Sequence, residues 1–250
     1  MKIAVCIKRV PDMESRFGIA RDGKSVDETG LKFDMSDFDG YAVEVALQIT
    51  EKRGQGEVVV VSLGPDAVQE QLRKALSMGA ARAIHLKADR VPADGFVIAR
   101  ALATELKSGG YDLIMFGKHA MDSMSAAVGP MTAELLGLPN VTAASKLEIS
   151  DGKGTARHEL EGGAEILEFP LPAVVSIDEG IARPRYASLK GIMAAKKKPL
   201  ESKSAQLDAP RLEVTKVELP PERQGGRIVG EGAAAVPELV RLLQTEAKVL

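Results

Sequence analysis

The sequence predicts an α/β protein with a doubly wound, mainly parallel sheet, a small antiparallel hairpin section and a C-terminal arm that ends in a helix. Up to about residue 140, short apolar runs alternate with segments whose apolar residues follow helical spacing. That rhythm is typical of a buried parallel sheet with right-handed crossover helices. Apolar–polar alternation with glycine turns replaces it further along. The length of 250 residues accommodates one such domain and an appendage.

Four apolar runs predict the strands of the first part, at residues 2–10, 57–63, 82–87 and 112–116. Pro11 stops the first run. The helices between the strands begin at recognisable caps and turns, which are Ser36 or Asp37, the turn at residues 64–66, and Asp94. Each strand therefore has a helix to cover one of its faces.

Antiparallel pairing is predicted where the alternation begins. Residues 141–149, 154–160 and 166–169 alternate apolar with polar side chains and are separated by glycine-bearing turns. Residues 12–33 are polar, and Asp22 followed by glycine predicts a loop or a hairpin there.

The last fifty residues read differently from the rest. Residues 201–234 are polar and rich in proline and glycine, with one strand-like stretch at 212–219, and Pro237 marks a helix start. The apolar stripe of that helix is Leu239, Leu242 and Leu243. A lone helix of this kind more often packs on its own domain. We divide the chain into a sheet domain, residues 1–200, and an arm with a helix, residues 201–250.

Composition excludes several classes of function. The net charge of −2 gives no general attraction to nucleic acid or to an anionic membrane, and 4% aromatic residues without tryptophan argue against a stacking platform for single strands. The single cysteine, Cys6, allows no internal disulfide and favours a reducing compartment. No apolar run reaches the ~20 residues of a membrane helix. Met1 leads directly into a strand, so we expect no signal or transit peptide.

The segment after the fourth strand is the best candidate for binding a ligand. Ligands of open parallel sheets bind beyond the carboxyl ends of the strands, which here fall at Cys6, Leu63 and Gly117. Small residues after Gly117 lead directly into a predicted helix, whose first backbone N–H groups could hold a phosphate. An ordinary strand–helix loop remains the alternative.

No catalytic motif accompanies this loop. The dinucleotide-binding and P-loop glycine patterns are missing, and no Gly-x-Ser-x-Gly sequence is present. The glycine pair at residues 109–110 precedes its strand, unlike the pyrophosphate loop of adenylating enzymes. His85, His119 and His158 have no metal-ligand spacing. We therefore predict a protein that holds a ligand, with no catalytic residues and no metal.

A second candidate surface follows the predicted buried strand at residues 172–177. An acidic turn begins at Asp178, and Pro184 fixes the loop that follows. Its exposed-looking side chains are Arg185, Tyr186, Leu189, Ile192 and Met193. We call residues 178–198 the docking loop, because the pattern predicts contact with another protein. The lysines at its end, residues 196–198, are usually a solvated patch; docking on an acidic partner is the alternative.

These residues resemble a known family. Residues 5–10, 75–80 (ALSMGA), 117–138 and above all 172–200 (LPAVVSIDEGIARPRYASLKGIMAAKKKPL) are similar to the β subunits of electron transfer flavoproteins. The similarity runs through nearly the whole chain in order. It implies a sheet of the adenine-nucleotide-binding type and an arm and helix that pack on a partner subunit.

The resemblance also implies a function. The β subunit forms a heterodimer with an α subunit that holds most of the redox-active FAD, and itself carries a structural AMP. Electrons come from flavin dehydrogenases of the acyl-CoA dehydrogenase type and pass to a quinone oxidoreductase. The expected place is the bacterial cytoplasm, or the mitochondrial matrix in a eukaryote. One alternative is a bifurcating oxidoreductase with a second FAD instead of AMP; another is a stand-alone nucleotide-binding regulatory protein.

Site residues follow from the resemblance position by position. Those implied to contact the nucleotide are Cys6, Ser36, Asp37, Phe38, Asp39, Leu63, Gly117, Lys118, His119, Ala120, Met121, Asp122, Ser123, Met124, Ser125, Ala126, Ala127 and Val128. Phe38 would lie toward the flavin of the α subunit. Leu189 would insert into a hydrophobic pocket of the dehydrogenase, and Glu159 would pair with the α subunit.

This chain departs from the family pattern in two places. In the segment after Gly117, Ser123 and Ala126 stand where the family often has an acidic residue and an amide. Residues 126–130 are more similar to the relatives that bind a second FAD, although Met124 and Ala127 differ from those relatives as well. Ala182 and Arg183 replace a common Asn-Glu pair beside the docking loop. AMP is favoured over FAD.

Overall fold

The computed structural model describes residues 1–222 and 225–250, and it confirms the predicted α/β class. The strands are β1 (Lys2–Cys6), β2 (Arg9–Pro11), β3 (Gly18–Ile19), β4 (Val26–Asp27), β5 (Phe33–Met35), β6 (Glu57–Gly64), β7 (Arg82–Lys87), β8 (Leu113–Gly117), β9 (Asn140–Ser150), β10 (Lys153–Leu160), β11 (Gly163–Pro170), β12 (Ala173–Ile177) and β13 (Leu200–Ser204). In the described chain, nine of them form one sheet in the order β11-β10-β9-β12-β8-β1-β6-β7-β13.

Helices cover both faces of this sheet. They are α1 (Asp37–Lys52), α2 (Gln69–Met78), α3 (Gly95–Lys107), α4 (Val128–Leu136) and α5 (Leu189–Ala195), and a further helix, α6 (Val236–Leu242), follows in the C-terminal arm. Apolar side chains of α1, α2 and α5 pack with Ile3 and Val5 of β1 on one face, while those of α3 and α4 pack with Ala4 and Cys6 on the other. Successive strand residues point to opposite faces, which is why the apolar run of β1 is continuous. The sheet is doubly wound, as predicted.

The strand order contains one reversal that matters for function. The chain places β6 and β7 successively on one side of β1, then returns through α3 and places β8 on the other side. All these neighbours are parallel. A crevice opens at the carboxyl ends of two adjacent strands where the winding direction reverses, and ligands of such sheets bind there. In this protein that switch point lies between β1 and β8.

The antiparallel predictions are confirmed. β9, β10 and β11 pair antiparallel in sequence, with Gly152 and Gly162 at positive φ in the two turns. β3 and β4 form the small hairpin expected around Asp22. The Asp22 carboxylate accepts hydrogen bonds from the backbone N–H groups of Lys24 and Ser25, which closes that turn.

Two strand predictions are corrected. The run predicted at residues 2–10 divides, because β1 ends at Cys6 and β2 leaves the main sheet to pair with β5. The stretch at 212–219 forms no strand in the described chain. Instead β13 adds to the edge of the sheet beside β7, where polar side chains are tolerated because one side of the strand faces solvent.

The C-terminal helix is only partly buried. Of its predicted apolar stripe, Leu242 is buried and Leu243 is half-buried, whereas Leu239 is exposed, as is the neighbouring Val240. Residues 223 and 224 of the predicted arm lie outside the described residues. Among the described helices, none is long and apolar enough to cross a membrane.

Candidate functional site

The candidate site lies at the switch point, where the start of α1 closes against the ends of β1 and β8. Asp39, in the first turn of α1, accepts one hydrogen bond from the backbone N–H of Lys8 at 2.7 Å and another from that of Gly117 at 3.0 Å. Its carboxylate therefore links the segment after β1 to the last residue of β8. Ser36, also buried, accepts a hydrogen bond from the backbone N–H of Met121 at 3.3 Å. The fold thus brings together three predicted site residues, Ser36, Asp39 and Gly117.

Residues 117–128, here called the β8–α4 loop, are fixed at one end by contacts with the first strand and helix. Lys8 Nζ lies 2.7 Å from Asp122 Oδ2. The rings of Phe38 and His119 stack at a tilt, with centroids 4.3 Å apart. These contacts hold the first half of the loop over the crevice.

The second half of the loop is exposed and leads into α4. Met124 and Ala126 have positive φ, 51° and 52°, so the backbone turns sharply before the helix starts. The first N–H groups of a helix have no partner within it, and in α4 the first two belong to Val128 and Gly129. The start of a helix, with its free N–H groups and the positive end of its dipole, suits a phosphate, and Ser125 is an exposed hydroxyl residue three positions before α4.

The other residues predicted to contact the nucleotide differ in their burial. The side chains of Cys6 and Leu63 are buried in the core on the α3 face, while Asp37 is exposed in the first turn of α1. The carbonyl of Ala120 accepts the backbone N–H of Met124 at 2.9 Å, which closes the loop on itself. Within residues 1–222 and 225–250, no group of three metal-ligating side chains is placed to hold an ion.

Burial controls the electrostatics of the crevice. It raises the pKa of Asp39 to about 7, although the two backbone N–H groups counteract it. Burial, with a contribution from Asp39, also raises the pKa of the Cys6 thiol well above its ordinary value. The thiol therefore stays protonated at neutral pH and offers no nucleophile, whereas Asp39 changes charge close to neutrality.

This titration predicts a pH-dependent stability. Because the pKa of Asp39 is raised from 3.8 to about 7 on folding, the folded chain binds more protons than the unfolded chain between these values. Its free energy of unfolding must therefore fall as pH rises through that window, and level off above pH 7. We expect the wild type to lose up to about 1.4 kcal/mol per pH unit relative to Asp39→Asn between pH 5 and 7, measured by urea unfolding.

The control for this experiment is Asp66→Asn. A hydrogen bond from Lys87 lowers the pKa of the exposed Asp66, so this residue titrates below the range tested. Its difference from wild type should be constant between pH 5 and 8. The same flat profile for Asp39→Asn would contradict the assignment of a raised pKa to Asp39.

The docking loop presents the most exposed apolar surface beside the sheet. The exposed fractions are 92% for Tyr186, 83% for Leu189 and 71% for Met193, and Ile192 is also exposed. Ser188 caps α5 by accepting the backbone N–H of Gly191 at 3.0 Å. Leu189 is the first residue of that helix, so it projects from a fixed element.

Helix α5 is held tightly on α2. A Cβ on Gly191 would lie 2.5 Å from the carbonyl oxygen of Ser77, so only glycine allows this close approach. Arg73 of α2 donates to the carbonyls of Ala195 and Lys198 at 2.6 and 2.8 Å. Lys198 Nζ donates to two carbonyl oxygens at the end of α2, at 2.7 and 2.9 Å. The lysine run is therefore not simply a solvated patch, because Lys198 caps α2.

Arg185 already has partners within the chain. Its Nε lies 2.8 Å from Oε2 of Glu44 and its Nη1 lies 2.5 Å from Oε1 of Glu51. Burial alone would raise the pKa of Glu44, but the hydrogen bonds from Arg185 and Gln48 outweigh it and lower that pKa. Arg185 therefore holds the docking loop on α1, and its contact with another protein stays a prediction.

Glu159 lies on β10, in the antiparallel section. Its carboxylate accepts the hydroxyl of Ser145 at 2.9 Å and pairs with Arg157. Hydrogen bonding from Ser145 lowers its pKa, so it is charged at neutral pH. Its predicted pairing with another subunit is not tested by a single chain.

Sequence reasoning missed the charged residues that organise both surfaces. No local pattern indicated a role for Lys8, which lies in an apolar run, or for Glu44, which lies on a helix. Asp178 was noted only as part of a turn, yet its Oδ2 lies 2.9 Å from Lys118 Nζ. Such pairs join segments 60 or more residues apart, and only covariation between positions could have revealed them.

Comparisons with known proteins agree with each other. A family model described as electron transfer flavoprotein domain matches residues 24–208. A protein of Syntrophomonas wolfei named electron transfer flavoprotein subunit beta is 38% identical over 250 residues, covering this whole chain and 98% of the relative. One of the same name from Bacillus subtilis is 37% identical over the full length of both chains. A rice protein named electron transfer flavoprotein subunit beta, mitochondrial, is also 37% identical over both full lengths.

Proposed function

The chain belongs to the electron transfer flavoprotein family as a β subunit, and we propose that it carries a nucleotide at the β8–α4 loop and docks electron donors through Leu189. A β subunit implies an α partner, and its role is electron transfer rather than catalysis of its own. The observation that carries this proposal is the exposed Leu189 at the start of α5, a helix that packs closely on α2.

The nucleotide we favour is AMP. Its phosphate would be held at the start of α4, where the N–H groups of Val128 and Gly129 have no partner within the helix and the helix dipole is positive, and the exposed hydroxyl of Ser125 would be a further donor. The nearby acid, Asp122, is neutralised by Lys8 at 2.7 Å, so it does not repel an anion. Phe38 and His119 supply ring faces beside the crevice.

Electron transfer itself belongs to the flavin, which the α subunit would hold for the most part and which supplies the redox chemistry when bound. This chain would position the donor. A carrier must meet several dehydrogenases of the acyl-CoA dehydrogenase type and leave each quickly, and one apolar anchor suits brief contact better than a large dry interface. A quinone oxidoreductase would then accept the electrons.

The C-terminal arm and helix are proposed to pack on the α subunit, as the second unit of the chain. Support comes from the exposed apolar side chains of α6, Val236, Leu239 and Val240, which a partner surface would cover. The rice relative is named mitochondrial. For this chain we propose a reducing compartment, the bacterial cytoplasm or a mitochondrial matrix.

The deciding measurement is the nucleotide content of the purified heterodimer, released by denaturation and separated by chromatography. We expect one FAD and one AMP per heterodimer. Two FAD and no AMP would instead identify the bifurcating form, with the β8–α4 loop as a second flavin site. A heterodimer without flavin, or a chain that purifies without an α subunit, would contradict the proposal and favour a stand-alone nucleotide-binding protein.

A further inference from the structure

The docking loop is joined at its beginning to the β8–α4 loop. Asp178, the first residue after β12, forms an ion pair with Lys118, whose Nζ lies 2.9 Å from Asp178 Oδ2. The backbone N–H of Lys118 also donates to the carbonyl of Ile177 at 2.8 Å. The Asp178 side chain is mostly buried, 17% exposed, so this pair is screened less than a surface pair.

Further along, the docking loop is joined to α1, the other element of the crevice. Arg185 binds Glu44 through its Nε at 2.8 Å, its Nη2 at 2.9 Å and its backbone N–H at 3.2 Å. The ring of Pro184 packs on α1 at Gly40. Its Cγ lies 3.6 Å from the position that a Cβ on Gly40 would occupy. Gly40 directly follows Asp39. The segment that leads to Leu189 therefore rests on both elements that form the crevice.

We propose that Lys118 is a positioning residue that couples nucleotide binding at the β8–α4 loop to the geometry of the docking loop. A phosphate held at the start of α4 orders the exposed residues 122–126 and restricts with them the side chain of Lys118, which is 39% exposed. Ordering one partner of an ion pair lowers the entropic cost of keeping it formed, so Asp178 is held more firmly. The coupling is reciprocal: a dehydrogenase bound at Leu189 tightens nucleotide binding. The inference rests on the proposed functions of both surfaces.

Hydrogen exchange on the αβ heterodimer tests the coupling without relying on activity. The exchange rates of the backbone amides in residues 178–188 are compared between the nucleotide-depleted heterodimer and the same heterodimer with saturating AMP. In the wild type we expect AMP to slow exchange in these residues about fivefold or more, the lower end of measured couplings. Asp178→Asn removes the pair while leaving every residue of the β8–α4 loop unchanged, and should abolish this effect although AMP still protects residues 118–127.

Two further variants separate positioning from general damage. Lys118→Arg keeps the charge and should restore the AMP effect that Lys118→Met loses. Lys87→Met breaks an ion pair of 2.7 Å elsewhere on the surface and should leave the effect intact. If AMP slows hydrogen exchange at residues 178–188 as much in Asp178→Asn as in the wild type, the coupling is wrong, while the proposed nucleotide site is unaffected. Absence of AMP protection at residues 118–127 in the wild type would instead remove the nucleotide site, and the coupling with it.

Discussion

Gly117→Ala is expected to destabilise the chain by about 3 kcal/mol or more and to abolish nucleotide binding. A Cβ at this position would lie 2.6 Å from Asp39 Oδ1, 2.6 Å from the carbonyl carbon of Phe38 and 2.7 Å from the Asp39 nitrogen. Backbone atoms cannot rotate aside, so α1 must move away from β8. Overpacking of this kind costs about 1–3 kcal/mol and sometimes more, and loss of the hydrogen bond to the buried Asp39 adds to it.

The measurements are the urea unfolding midpoint of the chain and the AMP content of the heterodimer. Gly163→Ala is the matched control, because a Cβ there meets no atom within 4 Å; its stability should stay within about 0.5 kcal/mol of wild type. A Gly117→Ala protein with wild-type stability and full AMP content would show that α1 does not need its close contact with β8.

Leu189→Ala is expected to slow reduction by an acyl-CoA dehydrogenase partner by roughly 10- to 150-fold in kcat/KM. Burying a leucine side chain in a partner is worth about 1.5–3 kcal/mol, and each 1.4 kcal/mol corresponds to about tenfold. The side chain is 83% exposed in the chain itself, so its removal should change neither folding nor flavin content. Stopped-flow reduction of the heterodimer measures the effect, with flavin absorbance as the check on loading.

The control is Val26→Ala, which shortens an exposed apolar side chain on β4, outside the docking loop. The dehydrogenase should reduce a heterodimer with Val26→Ala at the wild-type rate. If it also reduces the Leu189→Ala heterodimer at that rate, the donor docks on another surface and the anchor role is wrong.

Local signals in the sequence predicted most of the fold. Asp94 caps α3 as expected, accepting the N–H of Phe96 at 2.9 Å, and β7 occupies the predicted residues 82–87. Such elements are set by side-chain periodicity and by the conformational demands of caps and turns, which act within a few residues. The strand predicted at 212–219 failed because alternation shows only that a segment can form a strand, not that an edge is available to pair with it.

The candidate site was predicted in part. Small residues at 123–127 before a helix indicated the β8–α4 loop from the sequence itself, whereas the roles of individual residues came only from the family resemblance. The partners of Asp39, Lys8 and Asp178 were not predictable. They depend on which strands become neighbours, and that is decided by the packing of the whole sheet.

By itself, then, the sequence determined most of the elements and their order, the antiparallel turns and the apolar face of the docking loop. Only the tertiary structure decided that Lys198 caps α2 and that Arg185 binds Glu44 rather than solvent. Charged side chains like these carry no periodic signal, and an ion pair forms where folding removes two groups from water side by side. Arg185 and Glu44 are 141 residues apart in the chain, so a pattern within a few residues cannot predict that they pair.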